Sequence, residues 1–272
     1  MRIKPKKRLG QNFLKDKNIL RRIADSCDLH RCDLVLEIGA GSGELTGLLA
    51  EKAAVVLAVE IDPELIPGLS LGLQENGNVR VIQADILKLD VPQALAEAGG
   101  ESPVKVIGNI PYYISSAVIE KLLLDCRGSL ADIYLTVQLE FGQRLCACPG
   151  SKSYGPLSLF AQYYSRPELL FKIKSSCFYP VPKVDSCLVR LKPREETPLS
   201  GQDEILFFRL VRAAFQQRRK MLRNTLKHLI NADLLSVFLR DNGLPLEARG
   251  EVLSPGHFIS LVGTAKKNKK LC

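Results

Sequence analysis

The chain has no tryptophan, and of its 272 residues only three are histidine. With three histidines, and with eight cysteines that form no pair of C-x-x-C units, the sequence predicts no metal site. We expect the cysteines to be reduced thiols. No run of about 18 apolar residues is present, and the first six residues lack the apolar stretch of a secretory signal. We therefore expect a cytoplasmic protein without a membrane span.

Acidic residues are scarce relative to basic ones, since 38 Lys and Arg against 29 Asp and Glu give a net charge of +9. Residues 1–22 hold nine basic residues and one acid, Asp16, and residues 209–227 hold seven basic residues and no acid. Because each phosphate contact releases condensed counterions, these two clusters predict a polyanionic partner. The alternative is a solvated basic face that only increases solubility.

From residue 33 onward, short apolar runs alternate with amphipathic segments, which is typical of an α/β fold with a parallel sheet covered by helices. The pattern predicts strands at 34–38, 55–60, 79–83, 104–108 and 133–137, and helices at 44–52, 63–74, 116–124, 139–146 and 157–164. Two further strands, at 169–173 and 187–191, are expected to form an antiparallel hairpin at one sheet edge.

A polar, proline-bearing stretch at 192–201 predicts a linker, and the pattern beyond it is helical. Apolar residues recur there at helical spacing, and basic residues line another face of the same predicted helix. The apolar residues are Phe208, Val211, Phe215, Leu222, Leu226 and Leu229. The basic residues are Arg212, Arg219, Arg223 and Lys227, and we expect them to contact phosphates of the polyanionic partner. The sequence thus predicts a domain at 1–195, a helical domain at 201–263 and a disordered basic tail at 264–272.

The predicted first strand runs into a turn with glycines at 39, 41 and 43. Such glycines let the backbone approach a ligand, and the G-x-G-x-G spacing disfavours a dinucleotide. Glu60 ends the second strand, where its carboxylate could accept both hydroxyls of a ribose. Asp85 follows the third strand and could accept from an adenine amino group. Each carboxylate alone could be a helix cap or a surface charge, but the ordered set predicts an S-adenosylmethionine site.

The tetrapeptide Asn109-Ile110-Pro111-Tyr112 follows the predicted strand at 104–108. Pro111 has no N–H to donate and stiffens the turn, so the Asn109 amide and the Ile110 carbonyl are expected to face a cleft. An aminopurine could donate its amino hydrogens to both groups while Tyr112 stacks on its ring. The motif therefore predicts methyl transfer to an exocyclic amine, and the alternative is an ordinary turn at the end of a strand.

With these motifs in this order, the chain resembles the KsgA/Erm family of rRNA adenine N6,N6-dimethyltransferases. The resemblance rests on four blocks, at residues 11–14, 37–43, 108–113 and 178–186. It implies a Rossmann-like S-adenosylmethionine-dependent methyltransferase sheet with a small C-terminal all-helical domain that binds RNA. It implies that Phe178 forms the second wall of the target-base pocket, opposite Tyr112. The implied cofactor contacts are Asn12, Leu14, Gly39, Glu60, Asp85 and Asn109.

Residues 215–224 and the later Leu253-Ser254-Pro255 resemble the branch of this family that modifies small-subunit (16S) rRNA. The resemblance implies two adjacent adenines in the 3′-terminal hairpin loop as substrate, in free rRNA or in a pre-assembled 30S subunit, and a role in small-subunit maturation. We expect a monomer. The alternatives are a large-subunit (23S) rRNA or DNA adenine methyltransferase, and a ribosome-assembly or transcription factor that keeps the fold without the chemistry. Ala40 and Tyr113 depart from the residues frequent in the family, Pro and Asn.

Overall fold

The structure is a computed structural model that describes residues 5–99 and 103–267. It divides into two units, one formed by Met1–Gly142 with Ser165–Glu195 and the other by Gln143–Tyr164 with Glu196–Cys272. Residues 143–164 therefore belong to the second unit, whereas the sequence pattern placed them in the domain at 1–195. The physical reason is aromatic packing, since Tyr163 lies 4.6 Å from Phe207 between ring centroids.

The first unit is built on a seven-stranded sheet, and the order of its strands is 4-3-2-5-6-9-7. The parallel strands are β2 (Leu34–Ile38), β3 (Val55–Glu60), β4 (Val79–Gln83), β5 (Val104–Asn109) and β6 (Leu130–Gln138). The strands β7 (Ser165–Ile173) and β9 (Ser186–Pro193) pair antiparallel at one edge, as predicted. A separate two-stranded sheet pairs β1 (Phe13–Leu14) with β8 (Phe178–Tyr179). The α/β class is confirmed.

The central strands are apolar because helices cover both faces of a parallel sheet. All five residues of β2 are buried. The helices that accompany the sheet strands are α1 (Lys17–Ser26), α2 (Glu44–Ala50), α3 (Ile66–Gly72), α4 (Val91–Glu97), α5 (Ser115–Asp125) and α6 (Leu139–Leu145). The pattern did not predict α1 and α4, although each has an aspartate cap: Asp16 accepts from the N–H groups of Asn18 and Ile19, and Asp90 from that of Gln93.

The second unit is helical and has an aromatic core. Its helices are α7 (Pro156–Tyr164), α8 (Gly201–Gln216), α9 (Leu222–Thr225), α10 (Ala232–Asp241) and α11 (Pro255–Lys266). The predicted continuous helix through Leu229 is wrong, because α8 ends at Gln216. Arg218 donates to the carbonyl oxygens of Lys152 and Tyr154, and this tertiary contact holds residues 217–220 in a turn.

The C-terminal segment differs from its prediction at one end. Residues 264–266, predicted as the start of a disordered tail, are the last turn of α11, and residues 268–272 lie outside the described part of the chain.

Across residues 5–99 and 103–267, no helix combines the length and the apolar character that crossing a bilayer requires. The same residues contain no group of three or more His, Cys, Asp or Glu that could hold a metal ion.

Candidate active site

A cavity of about 220 Å³ opens where β2, β3, β4 and β5 end. Carboxyl ends of parallel strands meet at one edge of a sheet, so residues distant in sequence converge there. The cavity is lined by Gly39 after β2, Glu60 at the end of β3, Asp85 after β4 and Asn109 at the end of β5. The structure thus brings together four of the residues predicted to bind cofactor or substrate.

The glycine turn after β2 is closely packed against its neighbours. Gly39 has φ 78° and Gly41 has φ 58°, both in the left-handed region that side chains disfavour. A Cβ at Gly39 would lie 3.2 Å from the Asn109 carbonyl oxygen, and a Cβ at Gly41 would lie 3.2 Å from the Phe13 ring. The turn therefore leaves bare backbone at the cavity wall, which is the arrangement that a close-lying ligand requires.

Glu60 is buried and holds the glycine turn in place. Its two carboxylate oxygens accept from the backbone N–H groups of Gly41 and Asp62, each at 2.8 Å. A carboxylate has about four lone-pair sites, so both oxygens can still accept from a second donor in the cavity. Asp85 is similar, since its Oδ1 accepts from the N–H of Leu87 at 3.0 Å. Both acids can therefore accept from a bound nucleoside.

A second buried carboxyl, Glu37, lies in β2 two residues before Gly39. Burial raises the pKa of Glu37 to about 8, the charge of Glu60 adds to this, and the nearby Thr46 hydroxyl opposes it. The Glu37 and Thr46 side chains do not form a hydrogen bond with each other, since Glu37 Oε2 and Thr46 Oγ1 both lack a partner among the described residues. Burial therefore favours the neutral form of Glu37, which disfavours a second negative charge near Glu60.

Hydrogen bonds hold the Asn109 amide and the Tyr112 hydroxyl, and these bonds determine which atoms of the two side chains are left to face the cavity. Asn109 Nδ2 donates to the Asn12 carbonyl oxygen at 3.0 Å, so the amide oxygen of Asn109 remains available as an acceptor. The Tyr112 hydroxyl lies 2.7 Å from Ser186 Oγ, and burial raises the pKa of Tyr112. Both residues line the cavity with Ile110 and Pro111.

The N-terminal strap, residues 5–14, covers part of the cavity. Leu9, Gly10, Gln11, Asn12 and Phe13 line it. Asn12, which the resemblance assigns to the cofactor, is one of these lining residues. Leu14, which the resemblance also assigns to the cofactor, does not line the cavity, and its side chain is buried in the core.

Phe178 also lies away from the cavity, in contrast to the predicted base-pocket wall. It pairs with Leu14 between β8 and β1, and its side chain is 1% exposed within the same core cluster. Side chains alternate along a strand, so Tyr179 is the exposed member of β8, at 51%. The exposed aromatic residue that does line the cavity is Tyr113, at 67%.

The placement of Phe178 leads to a stability prediction. Phe178→Ala would leave a core cavity, and we expect a loss of about 3 to 5 kcal/mol in the free energy of unfolding. Urea denaturation measures this loss. Tyr179→Ala, the neighbouring exposed ring, is the matched control and should cost well under half as much. Equal stability of the two variants would contradict the burial of Phe178.

In the helical unit, the predicted RNA-contact residues Arg212, Arg219, Arg223 and Lys227 are all exposed. They do not share one helix face, because the chain turns after α8. Arg212 lines a cleft of about 380 Å³ with Arg144 and Arg218, and Lys227 lines a second cleft of about 550 Å³ with Lys220 and His228. Arg218 pairs with Glu251 at 3.5 Å, whereas the four predicted residues form no ion pair with a described acid.

Several residues of the site were not singled out by sequence reasoning. Gln11 and Phe13 belong to the motif at residues 11–14, but their residue types and spacing did not indicate that they line the cavity. Lys6 and Asp62, whose side chains are in contact, are 56 residues apart in the chain, so no local pattern could pair them. Ser186 likewise contacts Tyr112 across 74 residues. These contacts follow from the sheet topology and not from spacing.

Known proteins resemble the chain over nearly its whole length. A family model described as "Ribosomal RNA adenine dimethylase" matches residues 2–267. A "Ribosomal RNA small subunit methyltransferase A" from Lachnoclostridium phytofermentans is 39% identical over 97% of this chain and 92% of its own length. The protein of the same name from Bacillus thuringiensis (strain Al Hakam) is 42% identical over 94% of this chain and 89% of its own length.

Two solved structures are similar as well. The 23S rRNA methyltransferase ErmE superposes with a TM-score of 0.78 at 28% identity, covering 93% of this chain and 99% of that protein. A dimethyladenosine transferase from Plasmodium falciparum superposes with a TM-score of 0.77 at 28% identity, covering 94% and 98%. Identity is thus higher to the small-subunit proteins named above than to the 23S enzyme.

Proposed function

Because this chain belongs to the ribosomal RNA adenine dimethylase family, we propose that it dimethylates N6 of two adjacent adenines in the 3′-terminal hairpin loop of small-subunit (16S) rRNA, with S-adenosylmethionine as methyl donor. The observation that carries the proposal is the cavity where Gly39, Glu60, Asp85 and Asn109 meet at the strand ends. The names of the relatives at 39% and 42% identity favour the small subunit over the large one.

The residues of the cavity fit a nucleoside cofactor. The bare backbone at Gly39 and Gly41 allows close approach, Glu60 can accept from ribose hydroxyls, and Asp85 can accept from an adenine amino group. Asn12 of the strap would complete the site. Leu14, buried in the core, would support the strap without touching the ligand. When bound, S-adenosylmethionine supplies an electrophilic methyl group on a sulfonium.

The target amine would be oriented by the turn at residues 109–112. The Asn109 amide oxygen and the Ile110 carbonyl accept its two hydrogens, which turns the nitrogen lone pair out of conjugation with the ring. Tyr112, held by Ser186, is placed to stack on the base, and a loop adenine is cheap to extrude. No strong general base is required, because the alkylated amine is acidic and loses its proton to solvent. A neutral acceptor also tolerates the monomethylated amine, which has one fewer hydrogen to donate.

The helical unit would contact rRNA through its exposed basic residues, which are Arg212 and Lys227 in the two clefts and Arg219 and Arg223 outside them. Arg219→Ala with Arg223→Ala should weaken RNA binding and flatten its salt dependence by nearly one log unit for each lost phosphate contact. Fluorescence anisotropy across a salt series measures this slope. Arg240→Ala with Arg249→Ala removes the same charge outside the basic cluster at residues 209–227 and should leave the slope nearly unchanged. An unchanged slope in the first variant, with a lower melting temperature, would assign Arg219 and Arg223 a structural role.

Mass spectrometry tests the substrate assignment. The protein would be given S-adenosylmethionine and, in separate reactions, small-subunit particles, free 16S rRNA and large-subunit particles from cells that lack this enzyme. We expect N6,N6-dimethyladenosine at adjacent positions of the small-subunit 3′-terminal loop. Product in 23S rRNA would support the alternative large-subunit function, and the two small-subunit reactions distinguish free RNA from an assembled particle as substrate.

A further inference from the structure

The N-terminal strap is fixed at both of its ends. At one end, β1 pairs with β8, and the N–H of Lys15 donates to the Cys177 carbonyl oxygen at 2.9 Å. Near the other end, Lys6 reaches Asp62, and Gln11, within the strap, reaches it as well. The stretch from Leu9 to Phe13, which includes Gln11, forms part of the cavity lining.

Asp62 is the centre of the contacts near this N-terminal end. Its side chain is 2% exposed, Lys6 Nζ lies 2.6 Å from Oδ1, and Gln11 Nε2 donates to Oδ2 at 2.8 Å. The N–H of Lys6 in turn donates to Gln11 Oε1 at 2.7 Å, which closes a ring of contacts. Burial alone would raise the pKa of Asp62, but the hydrogen bonds from Lys6, Gln11 and the Glu64 N–H outweigh it and lower that pKa.

Asp62 is also joined to the cavity wall, since its own N–H donates to Glu60 Oε1. The side chain of Asp62 thus holds the strap, and the backbone N–H of Asp62 holds the Glu60 carboxylate. Residues 9–13 form one side of the cavity, and Gly10 packs against the Tyr113 ring, which also lines it. Lifting of the strap would open this side of the cavity, and the contacts of Asp62 oppose this movement.

We propose that Asp62 is a positioning residue that latches the strap, through Lys6 and Gln11, over the nucleoside in the cavity and so sets how long the nucleoside stays bound. This proposal rests on the proposed function, because it requires the cofactor to occupy this cavity. The latch matters for dimethylation in particular. Two methyl transfers to one adenine consume two cofactor molecules, so the bound nucleoside is exchanged at least once between them.

Asp62→Asn keeps the shape of the side chain and removes the charge that Lys6 meets. Stopped-flow measurement should show S-adenosylhomocysteine leaving about tenfold faster, as expected for loss of a charged hydrogen bond. KM for S-adenosylmethionine should rise by a similar factor, and kcat should fall far less, because saturating cofactor keeps the strap closed. A general folding defect would instead lower kcat through loss of active protein and leave KM unchanged.

Lys6→Gln removes the same ion pair from the strap side and should change dissociation in the same direction. The double variant Lys6→Gln/Asp62→Asn should release S-adenosylhomocysteine no faster than Asp62→Asn alone, because the two residues act through one contact. If Asp62→Asn does not fold, Lys6→Gln carries the test. Glu64→Gln is the matched control, since Glu64 also meets Lys6, at 2.9 Å, but its side chain is 72% exposed. It should behave as the unmodified protein.

The outcome that overturns the latch is an unchanged dissociation rate in both Asp62→Asn and Lys6→Gln. Glu60→Gln distinguishes this failure from failure of the cofactor site. If Glu60→Gln weakens S-adenosylhomocysteine binding while both latch variants release it at the original rate, only the latch is wrong. If none of the three variants changes binding, the cofactor does not occupy this cavity and both proposals fall.

Discussion

Asn109→Ala should lower the rate of methyl transfer on the order of 100-fold or more while the protein stays folded. Under the proposed function, the variant removes the amide oxygen that would accept from the target amine and turn the nitrogen lone pair towards the methyl group. The fold should survive because Asn109 is only partly buried and loses one hydrogen bond, to the Asn12 carbonyl, a cost of about 1 kcal/mol. Single-turnover transfer to small-subunit particles measures the rate.

Asn78→Ala is the matched control for this prediction. Asn78 Nδ2 donates to the carbonyl oxygens of Ala50 and Ala53, and the residue does not line the cavity. Its loss should lower the melting temperature at least as much as the loss of Asn109 and leave the transfer rate of the folded protein intact. A normal transfer rate in Asn109→Ala would place the reacting amine elsewhere.

Glu60→Ala should weaken S-adenosylmethionine binding by about 2 to 3 kcal/mol, because charge-assisted hydrogen bonds to the ribose are lost. The structure adds a second effect. Glu60 also accepts from the N–H groups of Gly41 and Asp62, and leaving two buried donors unpaired should lower the free energy of unfolding by about 2 kcal/mol or more. Calorimetry gives the affinity, and denaturation gives the stability.

Glu60→Gln separates these two effects, since a glutamine keeps one acceptor oxygen and the volume of the side chain. It should be more stable than Glu60→Ala and still bind cofactor less tightly than the original protein. Glu51→Ala, at an exposed position after α2, should change neither quantity. Unchanged affinity in both Glu60 variants would remove Glu60 from the cofactor site and weaken the argument from strand order.

The parts of the fold that the sequence predicted correctly are those with local causes. The sheet strands of the first unit are short apolar runs bounded by glycine or acids, and their order along the chain places Gly39, Glu60, Asp85 and Asn109 at one edge. Parallel strands connected by helices allow few other arrangements. The glycine turn and the acids after it could therefore be assigned to one site from the sequence alone.

The parts that the sequence did not predict depend on contacts between distant segments. Apolar spacing continues from Phe208 to Leu229, yet the tertiary bonds of Arg218 end the helix at Gln216. Phe178 sits in a motif that the resemblance assigns to the base pocket, but pairing of β8 with the two-residue strand β1 directs its ring into the core. Neither a short strand nor a single arginine contact leaves a periodic signal in the sequence.

A crystal structure with S-adenosylhomocysteine bound would show which atoms surround the cofactor, and it would therefore decide whether this cavity is the cofactor site. We expect density in the cavity at the ends of β2 to β5, with the ribose hydroxyls within hydrogen-bond distance of the Glu60 carboxylate and the adenine amino group near Asp85. Density for S-adenosylhomocysteine at another place on the protein, with this cavity holding only water, would contradict this assignment.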